Sequence, residues 1–338
     1  MKQILLTLLV VIATTHLSAQ QLVMLQSNGT STAFDGETPF IDAYDSAIDG
    51  DTIYLPGTRV TPPPAIDKQL TIYGTGHYPS TTNATNSSII YGTVYISENA
   101  DNIKLEGIEI TGSLIFMNNQ KIDNAIISRC KLYQVSYQGD LTTPCENNTI
   151  KQCVITSSVS LNNANNCILT NNIIASSIGN GNQIAILNNV ILHTSTSSTY
   201  GTITNVDNST IANNIFRRAN NVIQSSCESS TFANNVFKST ALAGVNTFLN
   251  NYENVDFASL FVSQNDEGVF NYEQDYHLNN TETYLGNDGT QVGIYGGLFP
   301  YKDYAIPTNP HISSQSVAPS TDENGMLNIS ITVNAQQE

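Results

Sequence analysis

Side chains that could perform acid–base chemistry concentrate in one part of this sequence. Five of the twelve lysines and arginines lie between residues 104 and 151, with two glutamates beside them. A base next to a carboxylate can abstract the proton alpha to a uronic acid carboxyl group, which is the chemistry of a polysaccharide lyase. Cross-strand ion pairs on a solvated face, which stabilise a fold only slightly, are the alternative interpretation. The candidate catalytic residues are Lys104, Glu106, Glu109, Arg129, Lys131 and Lys151.

A second, acidic group lies in the stretch NDEGVFNYEQDYH (Asn265–His277). Carboxylate oxygens at this density are suitable ligands for calcium, although their spacing is not that of an EF-hand, and solvated loop acids are the alternative. The candidate metal ligands are Asp266, Glu267, Glu273 and Asp275. No other cofactor is indicated, because the histidines are dispersed and no GxSxG elbow of a serine hydrolase is present.

The overall charge restricts the class of partner. Twelve basic and twenty-eight acidic residues give a formal net charge of −16. Such an acidic chain is not expected to bind nucleic acid or an anionic membrane surface. Neutral or cationic partners and divalent metals remain compatible with it.

The first residues have the layout of a cleavable export signal. MKQILLTLLVVIATTHLSAQ contains one lysine, an apolar run from Ile4 to Ala13, and small or polar residues up to Ala19. We predict a signal peptide over residues 1–19 and a secreted, periplasmic or cell-surface location. No later segment is apolar enough to form a transmembrane helix.

The architecture follows from a recurring motif, apolar-x-x-Asn/Cys-x-apolar. Its copies start 17 to 25 residues apart, and they show no helical periodicity. This pattern predicts a solenoid of parallel β coils. The copies begin at Leu105, Ile127, Ile150, Leu169, Ile186, Ile211 and Phe232.

The polar residues inside the motif mark a bend. The two flanking apolar positions are five residues apart, so a straight strand would send their side chains to opposite faces. Asparagine tolerates left-handed backbone angles, and its amide can pair with an asparagine about 4.8 Å away on the next coil. The Asn–Asn pairs therefore predict a corner with a stacked column, which would include Asn172, Asn189, Asn214 and Asn235.

This arrangement resembles the right-handed parallel β-helix of the pectin-lyase-like superfamily, in which stacked asparagines commonly line one corner. AIDGDTIYLPGT (Ala47–Thr58) is similar to the opening turn of such proteins, and Asp275–Tyr301 is similar to the closing turn of secreted Bacteroidetes β-helix proteins. The resemblance implies an all-β, right-handed parallel β-helix of about ten coils. It implies no particular activity, since the fold carries lyases, hydrolases, epimerases and adhesins.

Two features of the repeat leave alternatives open. Cys130 and Cys153 take the corner position on adjacent coils, so they form either a disulfide or two stacked thiols. The residue before the second core position is apolar on five successive coils and should point outward. The C-terminal strand Leu327–Ala335 or another molecule covers this row, or its residues are half buried in the corner. The row is Val154, Ile173, Val190, Ile215 and Val236.

These patterns predict a β-helix domain over residues 20–301, followed by a C-terminal linker and one tail strand over residues 302–338. Two functions remain open. The first is non-catalytic binding of glycans or protein partners, because the NTD, GHG and RIK blocks of galacturonan hydrolases are missing. The second is a polysaccharide lyase or glycoside hydrolase that acts on an acidic polysaccharide with a divergent site.

Overall fold

The computed structural model of the protein describes residues 22–139, 142–195, 201–240, 244–264 and 268–335. It is mostly strand with one α-helix, and it forms a β-solenoid of about nine turns, close to the ten predicted. The predicted signal peptide lies outside the described residues. Within the ranges given, no helix has the length and hydrophobicity that crossing a bilayer requires.

The described chain contains short strands throughout. The helix α1 is Pro39–Ser46, and a 3₁₀ turn spans Asp303–Ala305. The strands up to the middle of the solenoid are β1 (Val23–Ser27), β2 (Thr30–Phe34), β3 (Thr52–Tyr54), β4 (Arg59–Val60), β5 (Thr71–Tyr73), β6 (Ile89–Ile90), β7 (Val94–Ile96), β8 (Lys104–Glu106), β9 (Glu109–Phe116), β10 (Ile126–Ser128), β11 (Lys131–Gln138), β12 (Cys145–Glu146), β13 (Thr149–Lys151), β14 (Val154–Ile155) and β15 (Val159–Asn162). The later strands are β16 (Ala164–Asn165), β17 (Ile168–Thr170), β18 (Ile173–Ile174), β19 (Ile178–Asn182), β20 (Ala185–Leu187), β21 (Val190–Ile191), β22 (Ile203–Asp207), β23 (Thr210–Ala212), β24 (Ile215–Phe216), β25 (Glu228–Ala233), β26 (Val236–Phe237), β27 (Val245–Leu249), β28 (Phe261–Ser263), β29 (Asp275–Leu278), β30 (His311–Val317) and β31 (Ile329–Asn334).

One face of the solenoid is a sheet in the order β2-β1-β3-β5-β8-β10-β13-β17-β20-β23-β25-β27. From β3 onward its neighbours are parallel, and the motif starts stack Cα against Cα on successive coils. The side chains of these starts are fully buried, so they form one row of the core. The repeat read from the sequence is therefore confirmed in register, and it places outward-facing residues of adjacent coils side by side.

The second face is a branched sheet of fifteen strands, and the second core position of each motif lies there. Ile110, Leu132, Ile155, Ile174 and Ile191 are in register on successive coils. At the N-terminal end, α1 packs against β1 and β2 and buries Phe40, Ala43 and Tyr44 in the same core.

The two asparagines at the corner between the faces have different roles. The first has positive φ, for example 55° at Asn171 and 54° at Asn188. The second is buried and joins a column, in which Asn172 Nδ2 donates to Asn189 Oδ1 at 3.0 Å and Asn189 Nδ2 donates to Asn214 Oδ1 at 3.0 Å. Asn235 and Asn251 continue the column with the same contacts.

Cys130 and Cys153 take the column position on the earlier coils, and all five cysteines are free and buried. The backbone N–H of Cys130 donates to Cys153 Sγ at 3.4 Å. The two residues are therefore stacked thiols, and the disulfide alternative is wrong.

The outward apolar row is covered, but not by the C-terminal strand. The five row residues are buried in a second hydrophobic cluster, together with Phe257, Phe261, Val292, Ile294 and Tyr301. The expectation of a covering tail strand, and the half-buried alternative, are therefore wrong. After the last coil the chain turns back along the rod. Its side chains complete the second hydrophobic cluster on the outer side of the coils.

We call residues 284–308 of this returning segment the strap. It begins beside Asn234, whose Nδ2 donates to the Leu285 carbonyl at 3.1 Å. It ends beside Glu106, whose Oε1 accepts from the Thr308 N–H at 2.7 Å. Between them, Asn171 Nδ2 donates to the Ile294 and Gly296 carbonyls at 2.8 and 2.7 Å. The first asparagines of the corner thus hold the strap along the rod.

The tail beyond the strap is an antiparallel hairpin of β30 and β31. The sequence predicted the second strand and a linker before it, yet part of that linker is β30. The sequence did not indicate β30, because its residues are mostly polar and do not alternate as in a half-buried strand. Both strands of the hairpin are largely exposed. Gln315 Nε2 donates to the Ala84 carbonyl at 2.7 Å.

Candidate functional site: a basic groove between coils and strap

Four of the six candidate catalytic residues line one groove. Lys104, Glu106, Arg129 and Lys151 lie on β8, β10 and β13 or directly after them. The strap forms the opposite wall with Phe299, Pro300 and Lys302, and the groove volume is about 580 Å³. Because adjacent strands lie about 4.8 Å apart, the register of Glu106, Ser128 and Lys151 spaces these side chains evenly across the floor.

The floor of the groove contains a buried ion pair. Arg129 has φ of 51° and is 5% exposed, so its guanidinium folds back over the sheet. Its Nη1 donates to Glu106 Oε1 at 2.9 Å, and its Nε donates to Gln152 Oε1 at 2.7 Å. The Thr308 hydroxyl also donates to Glu106, at 2.9 Å. A buried charge pair is tolerated when further hydrogen bonds satisfy both partners, as they do here.

This network ties the strap to the coils. Gln152 Nε2 donates to the Pro300 carbonyl at 2.6 Å while its Oε1 accepts from Arg129. Glu106, Arg129 and Gln152 therefore fix the position of the strap wall. Because these side chains bond to one another and to the strap, they maintain the shape of the groove.

The lysines around this pair have a different environment. Lys104 is exposed, and Lys151 Nζ lies 4.8 Å from the centre of the Phe299 ring. Lys302 approaches from the strap, and Tyr73 flanks the groove one strand before Glu106. Among the described lining residues the charges of Glu106 and Arg129 cancel and three lysines remain, in a protein with net charge −16.

The remaining two candidates lie elsewhere. Glu109 Oε1 is 3.0 Å from Lys131 Nζ, and that ammonium lies 5.1 Å from the Tyr272 ring. The strap passes between this pair and the groove at Gly107, where an added Cβ would be 2.2 Å from Pro307 Cγ. The six candidate catalytic residues therefore lie in two places, on either side of the strap.

The acidic candidates do not form a metal centre in the described part of the chain. Asp266 and Glu267 lie outside the described residues. Glu273 and Asp275 line a separate pocket rich in tyrosine. Among the described residues, no group of three His, Cys, Asp or Glu side chains is arranged to hold a metal ion.

Sequence reasoning missed the strap wall. Lys302 and Phe299 are about 150 positions from Lys151 and belong to no repeat, so no spacing relates them to the floor. Tyr73 was missed because its coil precedes the first aligned motif. Extending the register back by one coil, which pairs Tyr73 with Glu106, would have found it.

The groove can bind an anionic, extended ligand. Its ammonium groups attract carboxylates, and the Tyr73 and Phe299 rings offer apolar faces for sugar rings. The volume exceeds what one small anion needs, and the groove is open.

Comparisons with known proteins add little. No protein-family model matches this chain, and no curated protein matches it in sequence. Among solved structures, it is similar to an alginate lyase from Paenibacillus sp. str. FPU-7. The TM-score is 0.33 and the identity 14%, over 63% of this chain and 94% of that one. No functional conclusion rests on a similarity of this size.

Proposed function

We propose that this protein binds an acidic polysaccharide in the basic groove. One observation carries the proposal, namely the convergence of Lys104, Lys151 and Lys302 on a groove where Glu106, the carboxylate among the described lining residues, is paired with Arg129. An acidic protein gains nothing for its solubility by collecting lysines in a concave site. A ligand with repeated carboxylates explains why they are held together.

A second candidate function is β-elimination of the bound uronate. It is favoured by the position of Tyr73 and two lysines around the same floor, because cations that neutralise a uronate carboxyl acidify its alpha proton. One of Lys104 and Lys151, as the neutral amine, would accept the alpha proton while the other lysine neutralises the carboxylate. The C4–O glycosidic bond would break as the C4–C5 double bond forms, and the Tyr73 hydroxyl would protonate the leaving oxygen. Glu106 and Arg129 act as positioning residues, since their polar atoms are engaged with each other, with Gln152 and with Thr308.

Calorimetric titration with oligogalacturonate and oligoalginate tests the binding. Lys104→Ala, Lys151→Ala and Lys302→Ala should each weaken affinity about fivefold, because an exposed charge contact contributes about 1 kcal/mol. Raising the salt concentration from 0.1 to 1 M should weaken it further, since the screening length falls from about 10 to about 3 Å. A neutral oligomer of the same length should not bind.

Two lysines serve as controls. Lys131→Ala removes a basic residue of the same sequence cluster that lies beyond the strap, and Lys238→Ala removes one outside the groove lining. Unchanged affinity in the three groove variants, or equal losses in the controls, would refute the groove as the binding site. Absorbance of the unsaturated product separates the lyase candidate from binding alone. Release of that product must disappear in Lys104→Ala or Lys151→Ala.

We also propose that the chain is a secreted β-helix protein of the pectin-lyase-like, Bacteroidetes type, located in the periplasm, outside the cell or at its surface. The coil register and the buried asparagine column support the superfamily. The apolar run of the first twenty residues supports export. N-terminal sequencing of the exported protein should show a start near Gln20.

A further inference from the structure

A second pocket lies on the other side of Tyr301 from the basic groove, and it has the opposite character. Its volume is about 220 Å³, equivalent to about seven water molecules at roughly 30 Å³ each. Half of its described lining residues are tyrosines, among them Tyr78, Tyr272, Tyr295 and Tyr304. The Tyr272 and Tyr304 rings meet Tyr78 at steep angles, 74° and 85°, so the wall is curved rather than flat.

Carboxylates supply the polar groups of this pocket. Glu273, Asp275 and Asp303 line it, and no lysine or arginine is among its described lining residues. The nearby ammonium of Lys131 is paired with Glu109. The pocket therefore holds an excess of negative charge beside several aromatic faces.

His277 lies between two of these carboxylates. Its Nδ1 is 2.7 Å from Asp275 Oδ1, so Nδ1 is the protonated nitrogen and Nε2 is left as an acceptor in the neutral ring. Its ring stacks on Tyr295 with centroids 3.7 Å apart, and the Tyr295 hydroxyl donates to Asp303 Oδ1 at 2.9 Å. The two acceptors, His277 Nε2 and Asp303 Oδ1, are thus held in fixed positions.

The gap between these acceptors is short enough for one ammonium nitrogen to bridge. His277 Nε2 and Asp303 Oδ1 are 4.0 Å apart, too far for a hydrogen bond to each other. An ammonium nitrogen placed about 2.9 Å from each would direct two of its three N–H groups at them. Aromatic faces around such a cation add cation–π attraction.

Tyr276 connects the pocket wall to the interior. It is 4% exposed and packs against the Phe261 and Phe270 rings, so it anchors the wall in the hydrophobic cluster that covers the coils.

We propose that this tyrosine pocket binds a primary ammonium group. Aromatic walls with carboxylates are suited to an organic cation, whereas the carboxylates are not arranged for a metal ion in the described chain. An amino sugar of a glycan and a free polyamine both carry this group. The site is independent of the basic groove, so either can be correct without the other.

The probes are a glucosamine tetramer, its N-acetylated counterpart and spermidine, each titrated into the full-length protein by calorimetry. The glucosamine tetramer should bind at least tenfold more tightly than the acetylated tetramer, which has the same rings without the charge. Comparable binding of spermidine assigns the site to free amines, and selective binding of the tetramer assigns it to amino sugars. Either result, or binding of spermidine alone, supports the ammonium site. Equal binding of both tetramers, or no binding of any of the three probes, overturns it.

Three variants localise the binding. Asp303→Asn removes one acceptor charge, and His277→Phe removes the Nε2 acceptor while keeping a ring against Tyr295, so each should lower affinity for the glucosamine tetramer tenfold or more. Glu282→Gln makes the same charge change as Asp303→Asn at an exposed site outside the pocket lining and should leave affinity unchanged. Equal losses in Glu282→Gln and Asp303→Asn would show a general charge effect and overturn the proposal. Circular dichroism of each variant verifies that it folds.

Discussion

Replacing Asn189 by alanine should destabilise the protein far more than the same change at its neighbour Asn188. Asn189 is fully buried, and its Oδ1 accepts from the Asn172 N–H at 2.9 Å and from Asn172 Nδ2 at 3.0 Å. Its Nδ2 donates to the Leu169 carbonyl at 2.9 Å. Alanine leaves the buried Asn172 N–H without this acceptor, and alternative partners are another coil away.

The magnitude follows from these bonds. A buried donor or acceptor without a partner costs about 1 to 3 kcal/mol, and the small cavity adds to it. The Asn172 N–H and the Leu169 carbonyl lose a partner, as do the neighbouring column amides of Asn172 and Asn214. Asn189→Ala should therefore lower the free energy of unfolding by at least about 3 to 5 kcal/mol. Asn188→Ala puts alanine at a φ of 54°, which costs about 1 to 2 kcal/mol, and its contact to the Gly293 carbonyl is long at 3.4 Å.

Urea denaturation followed by circular dichroism measures both variants. Asn251→Ala is a third point, because Asn251 makes the same contacts at the partly exposed end of the column, where water can replace its amide. The expected order of loss is Asn189, then Asn188 and Asn251. The stabilising role of the column is refuted if the m-values stay unchanged and Asn189→Ala lowers the free energy of unfolding no more than Asn188→Ala does.

Two further predictions concern buried titratable groups. Burial, reinforced by the charge of Lys131, lowers the pKa of His77 to about 3 from about 6.5 in an unfolded chain, so the unfolded state alone binds this proton between those values. Stability should therefore fall as pH drops from about 6.5 to 3, and His77→Gln should reduce that slope by about one proton; equal slopes in thermal melts across this range would contradict it. Burial also raises the pKa of Cys145 to about 11 and of Cys167 to about 12, so the native protein should react slowly with Ellman's reagent, whereas the denatured, unreduced protein should give five thiols. Fewer than five thiols would mean that a disulfide is present.

The coils were predictable because each carries its own signal. The apolar positions, the Asn pairs and Cys130 and Cys153 recur at a nearly constant spacing, so aligning them gave the register of both faces directly. The outward row from Val154 to Val236 was also visible as a surface that needs a cover. Its partner was not, because the strap has no repeat and its shape depends on contacts with residues more than 100 positions earlier.

The candidate site was predictable to the same extent. The floor residues Lys104, Glu106, Arg129 and Lys151 were found because adjacent coils place them side by side. The backbone angle of Arg129 and its contact with Gln152, which convert a candidate base into a support for the strap, follow from tertiary packing. The tyrosine pocket was missed because Asp303 lies outside the stretch Asn265–His277 in which His277 was considered.

The path of the strap affects how the rod unfolds and how it folds during synthesis. In a simple solenoid each coil contacts only its neighbours, so the ends fray independently. Here Thr308 bonds to Glu106 on β8, and residues near the last coil lead directly into that connection, so the strap joins the third parallel strand of the first face to the last coil. The coils between these two points cannot separate until the strap has detached. During synthesis the apolar row stays at least partly uncovered until residues 257–301 have emerged, which makes the nascent rod dependent on its final segment for protection from aggregation.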